Sequence, residues 1–197
     1  SYNYTNLSLA FKVLKQKDEF NILPQYQDGD VNFRIKTKKG IVKYYGYGSF
    51  NKLGFRSNDI DSSNLRNAFE LKNANTYQNI TWSEALGKGW KLIAGLSYSY
   101  NRDTMQNILE DVNHQQQVFL LPSGYAEKSY RINKVNTYAQ GRAVFEKRLS
   151  GLNKLRFGGE YFYSTQKLNF TDYTNNRFSQ QMNDNLSAAF AETDIYL

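Results

Sequence analysis

The one histidine of the chain, His114, sits in the stretch "EDVNHQQQ" beside Glu110 and Asp111. An imidazole, an orienting carboxylate and a nucleophile are the minimum for acyl-transfer chemistry, and Ser123 is the nearest candidate hydroxyl. Nothing in the spacing makes these groups converge, so His114 reads as a solvated loop histidine and no catalytic residue is assigned. A metal site fares no better, because His114 and Asp111 would be two ligands from one loop. The chain has no cysteine, which removes thiolate ligands and disulfides. The glycines of "GYG" and "FGG" lack the strand-then-helix setting of a phosphate loop and suit sheet curvature instead. The expected chemistry is non-covalent binding, with no enzyme activity, no cofactor and no metal. Its candidates are Tyr45, Tyr47, Tyr138 and Gln140, whose rings and amide can stack on and hydrogen-bond a sugar or peptide. Arg142, Arg156, Glu160 and Glu192 join them as candidate inward-facing contacts to a ligand or a plug.

Strands must position these residues. In "KLIAGLSYSYNRD", residues 91–103, Leu92, Ala94, Leu96, Tyr98 and Tyr100 fall on one side, and Lys91, Gly95, Ser97 and Ser99 on the other. A period of two places successive side chains on opposite faces of a strand. The same reading gives about eight strands. "TNLSLAFKV" sets Leu7, Leu9, Phe11 and Val13 on one face; "VNFRIKT" and "IVKYYGYGSFN" follow, then "TYQNITWS" with Ile80 and Trp82. After residues 91–103 come "VNTYAQGRAVFEK", "LRFGGEYFYS" and "NLSAAFAETDIYL". Polar stretches near 53–74, 101–133 and 166–184 read as long loops, with a short helix around Leu65 and Phe69 in the first. Long and short connections then alternate along the chain.

Composition narrows what the apolar face touches. Aromatic residues make up 16% of the 197 residues, with 16 Tyr and 13 Phe, yet mean hydropathy is −0.69. A polar average with many Tyr and Phe is expected of a transmembrane barrel, where half of each strand faces a wet lumen. Loop lengths sorted by parity fit short turns on one side of a membrane and longer loops on the other. The two faces agree: Lys12, Arg34, Lys36, Lys43, Lys91, Arg142, Glu146, Arg156, Glu160, Glu192 and Asp194 share the inward parity. Trp82, Trp90, Tyr44, Tyr161 and Tyr163 are placed toward strand ends, where amphipathic rings suit the interface. The net charge of +7 comes from scattered cations without a recognition motif, so no nucleic-acid partner is expected.

The stretches "NYTNLSLAFKVLKQKDEF", "DVNFRIKTKKGIVKYYGYGSFNKLGFR" and "LRFGGEYFYS", with the final "LSAAFAETDIYL", resemble the barrel region of Bacteroidota-type TonB-dependent outer-membrane transporters. The resemblance runs over nearly the whole chain but rests on no single diagnostic motif. It implies an all-β fold of antiparallel up-and-down transmembrane strands, with residues 1–197 as part of a larger barrel. It also implies an outer-membrane location and uptake of glycans, peptides or metal chelates. The implied partners are outer-membrane lipid, a plug domain, TonB and a surface lipoprotein. Two other readings stay open: a complete eight-stranded barrel with an adhesive or structural role, and a soluble β-sheet binding module.

Overall fold

The computed structural model describes residues 1–6, 20–62, 64–116 and 123–195, the side chain of Ser123 excepted. The face expected on Leu7, Leu9, Phe11 and Val13, and inward Lys12, lie outside these residues. Eight strands form one antiparallel sheet in sequence order. They are β1 (Tyr2–Asn6), β2 (Ile22–Lys36), β3 (Gly40–Asn58), β4 (Leu65–Gly87), β5 (Trp90–Asp111), β6 (Tyr130–Arg148), β7 (Lys154–Thr171) and β8 (Arg177–Asp194). A single turn of helix, α1 (Ser123–Ala126), lies between β5 and β6. The all-β, up-and-down reading therefore holds. β1 and β8 are not paired with each other, so the described residues form an open sheet, not a closed eight-stranded barrel.

Directly paired residues of an antiparallel ladder share a face, so the register sorts the side chains. One row runs Phe33, Tyr44, Ile80, Leu96, Gly141, Tyr161, Ser187. The next row toward the short turns runs Ile35, Val42, Trp82, Ala94, Ala143, Gly159, Ala189. These belong to an apolar face, on which no charge appears between Glu84 at the short-turn rim and Arg102 at the far side. Gln78 is a polar intruder there, and it accepts a hydrogen bond from the Tyr44 hydroxyl and donates to Thr76 Oγ1. The opposite, polar face carries a row of Arg34, Lys43, Thr81, Gly95, Arg142, Glu160 and Ala188. On β8 the sorting is weaker: its polar-face positions include Leu186 and Phe190, and its apolar-face positions Asn183 and Asn185.

The apolar face is not sealed in a core. Leu96 is 64% exposed, Ile35 55% and Tyr161 50%, whereas a β-sandwich would bury such a row against a second sheet. Among the described residues the buried hydrophobics are Leu65, Ala68, Leu109, Ala126 and Val144. All but Val144 lie at the end remote from the short turns.

The strands run far beyond their expected ends. Residues 53–74 are mostly strand, so the short helix around Leu65 and Phe69 is replaced by the start of β4. The 101–133 stretch contributes Asn101 to Asp111 to β5 and begins β6 at Tyr130, and 166–184 is mostly β7 and β8. The connections that remain are 59–64, 112–129 and 172–176 at one end and 37–39, 88–89 and 149–153 at the other. The alternation in length thus fails at 172–176, a turn no longer than 149–153. The physical cause is a change of phase. Leu53, Leu71, Met105, Ile132, Phe170 and Phe178 form one continuous cross-strand row, and it lies on the polar face. A period-two pattern begun at Ile80 or Leu96 therefore loses step in the remote half. With the strands extended, Tyr44 and Tyr161 sit beside Ile80 and Leu96, mid-band and not at strand ends.

Close backbone approach explains one glycine. A Cβ on Gly158 would run into the Ala143 carbonyl oxygen and come within 3.0 Å of Val144 Cα, and neither can rotate away. Gly158→Ala is expected to cost about 1 to 3 kcal/mol as overpacking. Gly48→Ala, whose Cβ would meet nothing nearer than the Asn75 carbonyl oxygen at 3.8 Å, should leave the urea midpoint near that of the parent.

Candidate binding face

All eight candidate residues lie on the polar face. Tyr47 and Tyr138 belong to one row with Tyr77 and Ser99 between them, and Tyr45 and Gln140 to the next with Asn79 and Ser97 between. Arg142 and Glu160 are direct cross-strand neighbours, as are Arg156 and Glu192. They do not converge to a point. β3 and β6 are separated by two strands, about 14 Å at the usual spacing, so the tyrosines line two halves of a shallow wall.

Each half carries its own aromatic contacts. Tyr45 and Tyr77 approach to 6.2 Å between ring centroids with tilted planes, and the Tyr47 hydroxyl lies 3.4 Å from that of Tyr26. Across the wall Tyr138 stacks on Phe162 at 6.1 Å. Tyr26, Tyr77 and Phe162 were not among the expected residues. The inward parity that selected Tyr45 and Tyr138 also selects Tyr77 and Phe162, whereas Tyr26 falls in a segment whose strand was not recognised. Tyr45 and Tyr138 keep 37% and 40% of their surface exposed, leaving ring faces for a ligand.

Beyond the tyrosines the polar face becomes an amide field. Asn75, Asn101, Asn136 and Gln166 share a row, with Asn51, Asn73, Asp103 and Lys134 in the next. Asn73 Nδ2 donates to Asp103 Oδ1 at 2.5 Å, and Gln166 Nε2 to Asn136 Oδ1 at 3.0 Å. Asn51 Oδ1 and Asn101 Oδ1 are shielded from solvent and make no hydrogen bond within the described residues.

Toward the short turns the charges organise themselves differently. Arg156 Nε donates to Glu146 Oε2 at 2.9 Å and Nη1 to Glu192 Oε1 at 3.0 Å, and Nη2 lies 3.3 Å from Asp194 Oδ2. One guanidinium thus ties β6, β7 and β8 together, each of its three nitrogens facing a carboxylate. Arg142 makes no ion pair with Glu160. It lies over the Phe190 ring, 5.4 Å from the centroid, a cation–π contact.

The remaining polar candidates form turns. Asp111 Oδ1 accepts from the backbone N–H of Asn113 and Gln115, at 2.8 and 2.9 Å. His114, at φ 63°, places Nδ1 3.5 Å from Glu110 Oε2. That carboxylate also accepts from Arg56 Nε at 2.9 Å. Glu110 is thus shared with a permanent cation, and Asp111 is committed to its turn.

The sequence matches no protein-family profile and no curated protein. Among solved structures, the fold is similar to the crystal structure of the ferric yersiniabactin uptake receptor FyuA from Yersinia pestis, with a TM-score of 0.54 and 9% sequence identity. The match covers 86% of this chain and 25% of that one, so the chain spans about a quarter of the receptor's length. At this identity the likeness is one of fold: eight up-and-down antiparallel strands arranged as in part of an uptake receptor.

Proposed function

We propose that this chain is part of the wall of a TonB-dependent outer-membrane transporter, of the Bacteroidota type that its strands resemble, working in nutrient uptake. The observation that carries this reading is the apolar face. A band from the Trp82 row to the Gln78 row crosses the sheet without a charge, remains open, and backs onto tyrosines, amides and ions. A charged side chain facing lipid costs about 2 to 4 kcal/mol at mid-bilayer, whereas one facing a wet lumen does not. The likeness of fold to an uptake receptor supports the same reading.

In this arrangement outer-membrane lipid meets the apolar face. The polar face meets cargo, a plug domain coupled to TonB, or both, and the remote end, with residues 59–62 and 123–129, meets cargo or a surface lipoprotein. Cargo is a glycan, a peptide or a metal chelate, held by stacking and hydrogen bonds with no covalent step. The natural polypeptide carrying this segment is expected in the outer-membrane fraction and to resist carbonate extraction. From a panel of oligosaccharides, oligopeptides and ferric chelates, it should retain one class. A Tyr45→Ala/Tyr138→Ala variant should weaken that retention by about thirtyfold, at about 1 kcal/mol for each ring. Recovery of the polypeptide in the soluble fraction would sink the proposal.

A further inference from the structure

On the apolar face, the register reveals what lies beyond the uncharged band. Among the described residues, charged side chains on this face are confined to Glu84 and Lys147 at the short-turn rim and resume at Arg102 and Lys167. From Trp90, the cross-strand partner of Lys147, to Arg102, β5 runs ~40 Å, or ~31 Å along the normal at a barrel tilt of ~40°. That is the thickness of a hydrocarbon layer, about 30 Å. The first charges on the remote side therefore stand at headgroup level, and in the first three rows six of the seven are cations, the exception being Glu70 in the row of Arg131 and Arg177. Arg102 and Lys167 share a row, Lys52 and Lys72 the next, and Arg131 and Arg177 the one after.

Two features show that these cations are short of anions, Lys72 alone having a carboxylate within reach. Lys52 and Lys72 are direct cross-strand partners, an arrangement that repels unless a counter-charge sits between them. The carboxylate facing them is Glu70, 3.8 Å from Lys72 Nζ, and it already accepts from Asn21 and Gln106. Arg131 and Arg102 donate to the neutral amides of Gln106 and Asn133. Among the described residues, Arg102, Lys167, Lys52, Arg131 and Arg177 form no ion pair, and all but Lys52 are exposed.

We propose that these six cations are a binding belt for the phosphate groups of lipids in the outer leaflet. The proposal rests on the membrane reading above and deepens it. Guanidinium and ammonium groups at the interface pair with phosphate oxygens while their alkyl stems lie along apolar surface. A partner at this height, outside the wall, is lipid and not cargo.

The test uses the full natural polypeptide in detergent, titrated with bisphosphorylated lipid A and followed by native mass spectrometry. Lipid A stripped of its phosphates and inorganic phosphate serve as comparators. The parent should prefer the phosphorylated lipid, and an Arg102→Gln/Lys167→Gln/Arg131→Gln/Arg177→Gln variant should bind it at least about tenfold more weakly. Lys147→Gln, at the opposite rim, should not change it. Should the fourfold variant fail to fold, Lys52→Gln/Lys72→Gln removes a repulsive pair and must still weaken binding. Equal binding of the stripped lipid, parent-like binding by the variants, or displacement by inorganic phosphate at equal concentration would overturn the belt. Release of the parent from membranes by carbonate would instead overturn the membrane reading, so the two failures are distinguishable.

Discussion

Leu96→Arg is expected to prevent accumulation of folded protein in the membrane, while Ser97→Arg, one residue further along the same strand, is tolerated. Leu96 lies mid-band on the apolar face, between Ile80 and Gly141, and is 64% exposed. If that face meets hydrocarbon, the guanidinium costs about 2 to 4 kcal/mol, a large part of the stability of an ordinary domain. If it meets water, an arginine at so exposed a position changes stability by about 0.5 kcal/mol or less. The same substitution therefore separates a membrane wall from a soluble sheet. Ser97 is half-buried on the polar face between Asn79 and Gln140, where the membrane reading gives an arginine access to water. The readout is the fraction of full-length protein in washed outer membranes that resists unfolding by dodecyl sulfate without heating. Equal yields for the two variants would remove the basis for placing lipid against this face.

Much of the fold was legible because the band is where sequence and environment agree. Leu92 to Tyr100 and Ala139 to Phe145 alternate, with the paired Ile93 and Val144 as exceptions on the polar face, and the same parity read along β3, β6, β7 and β8 placed all eight candidate residues on one face. The remote half was illegible for a definite reason. There the apolar row moves to the polar face, through Leu71, Met105, Ile132 and Phe170, while Lys72, Arg102 and Arg131 occupy the other. A strand with both faces polar, or with its phase reversed, resembles a loop in a window of seven residues. What holds these segments is the ladder itself and its side-chain amides, such as Asn73 on Asp103 and Gln106 on Glu70. Neither contact is local in sequence. The candidate face was similarly half visible: parity showed which residues share a side, but the cross-strand register that separates Tyr45 from Tyr138 and gathers Arg156 with Glu146, Glu192 and Asp194 is a property of pairing.

The same non-local logic governs the remote end, where Lys128→Met is expected to open the connections without melting the wall. Lys128 Nζ donates to both carboxylate oxygens of Asp59, at 2.7 and 2.8 Å, and to Asp61 Oδ2 at 2.7 Å, so one ammonium joins residues 59–61 to residues 123–129. The Asp59 side chain is 2% exposed. Burial opposes its ionisation, but the Lys128 ammonium, the Asn67 amide and the Asp61 N–H outweigh that and hold its carboxyl below the ordinary value. Hydrogen bonds from Lys128 to Asp59 and Asp61 in turn raise the lysine above its own ordinary value. A lowered carboxyl stabilises fully above the unfolded pKa, about 4, and loses its effect as pH falls through the folded one. A raised ammonium stabilises fully below about 10.4 and loses its effect as pH rises through the folded value. Neutral pH lies inside both limits, so the tie is intact there and is released in acid. Removing the ammonium leaves a buried carboxylate with neutral donors alone, which destabilises far more than loss of an exposed pair. Hydrogen exchange should report this locally: Leu109, whose N–H donates to Ser129 Oγ at 3.1 Å, should exchange about tenfold faster or more, with Leu96 unchanged. Asp59→Asn, which leaves no buried charge, should accelerate exchange less. Acidification of the parent below the ordinary carboxylate range should reproduce the milder Asp59→Asn pattern, whereas in Lys128→Met the same acidification should slow exchange at Leu109, because protonation removes the buried charge that the variant leaves without its ammonium.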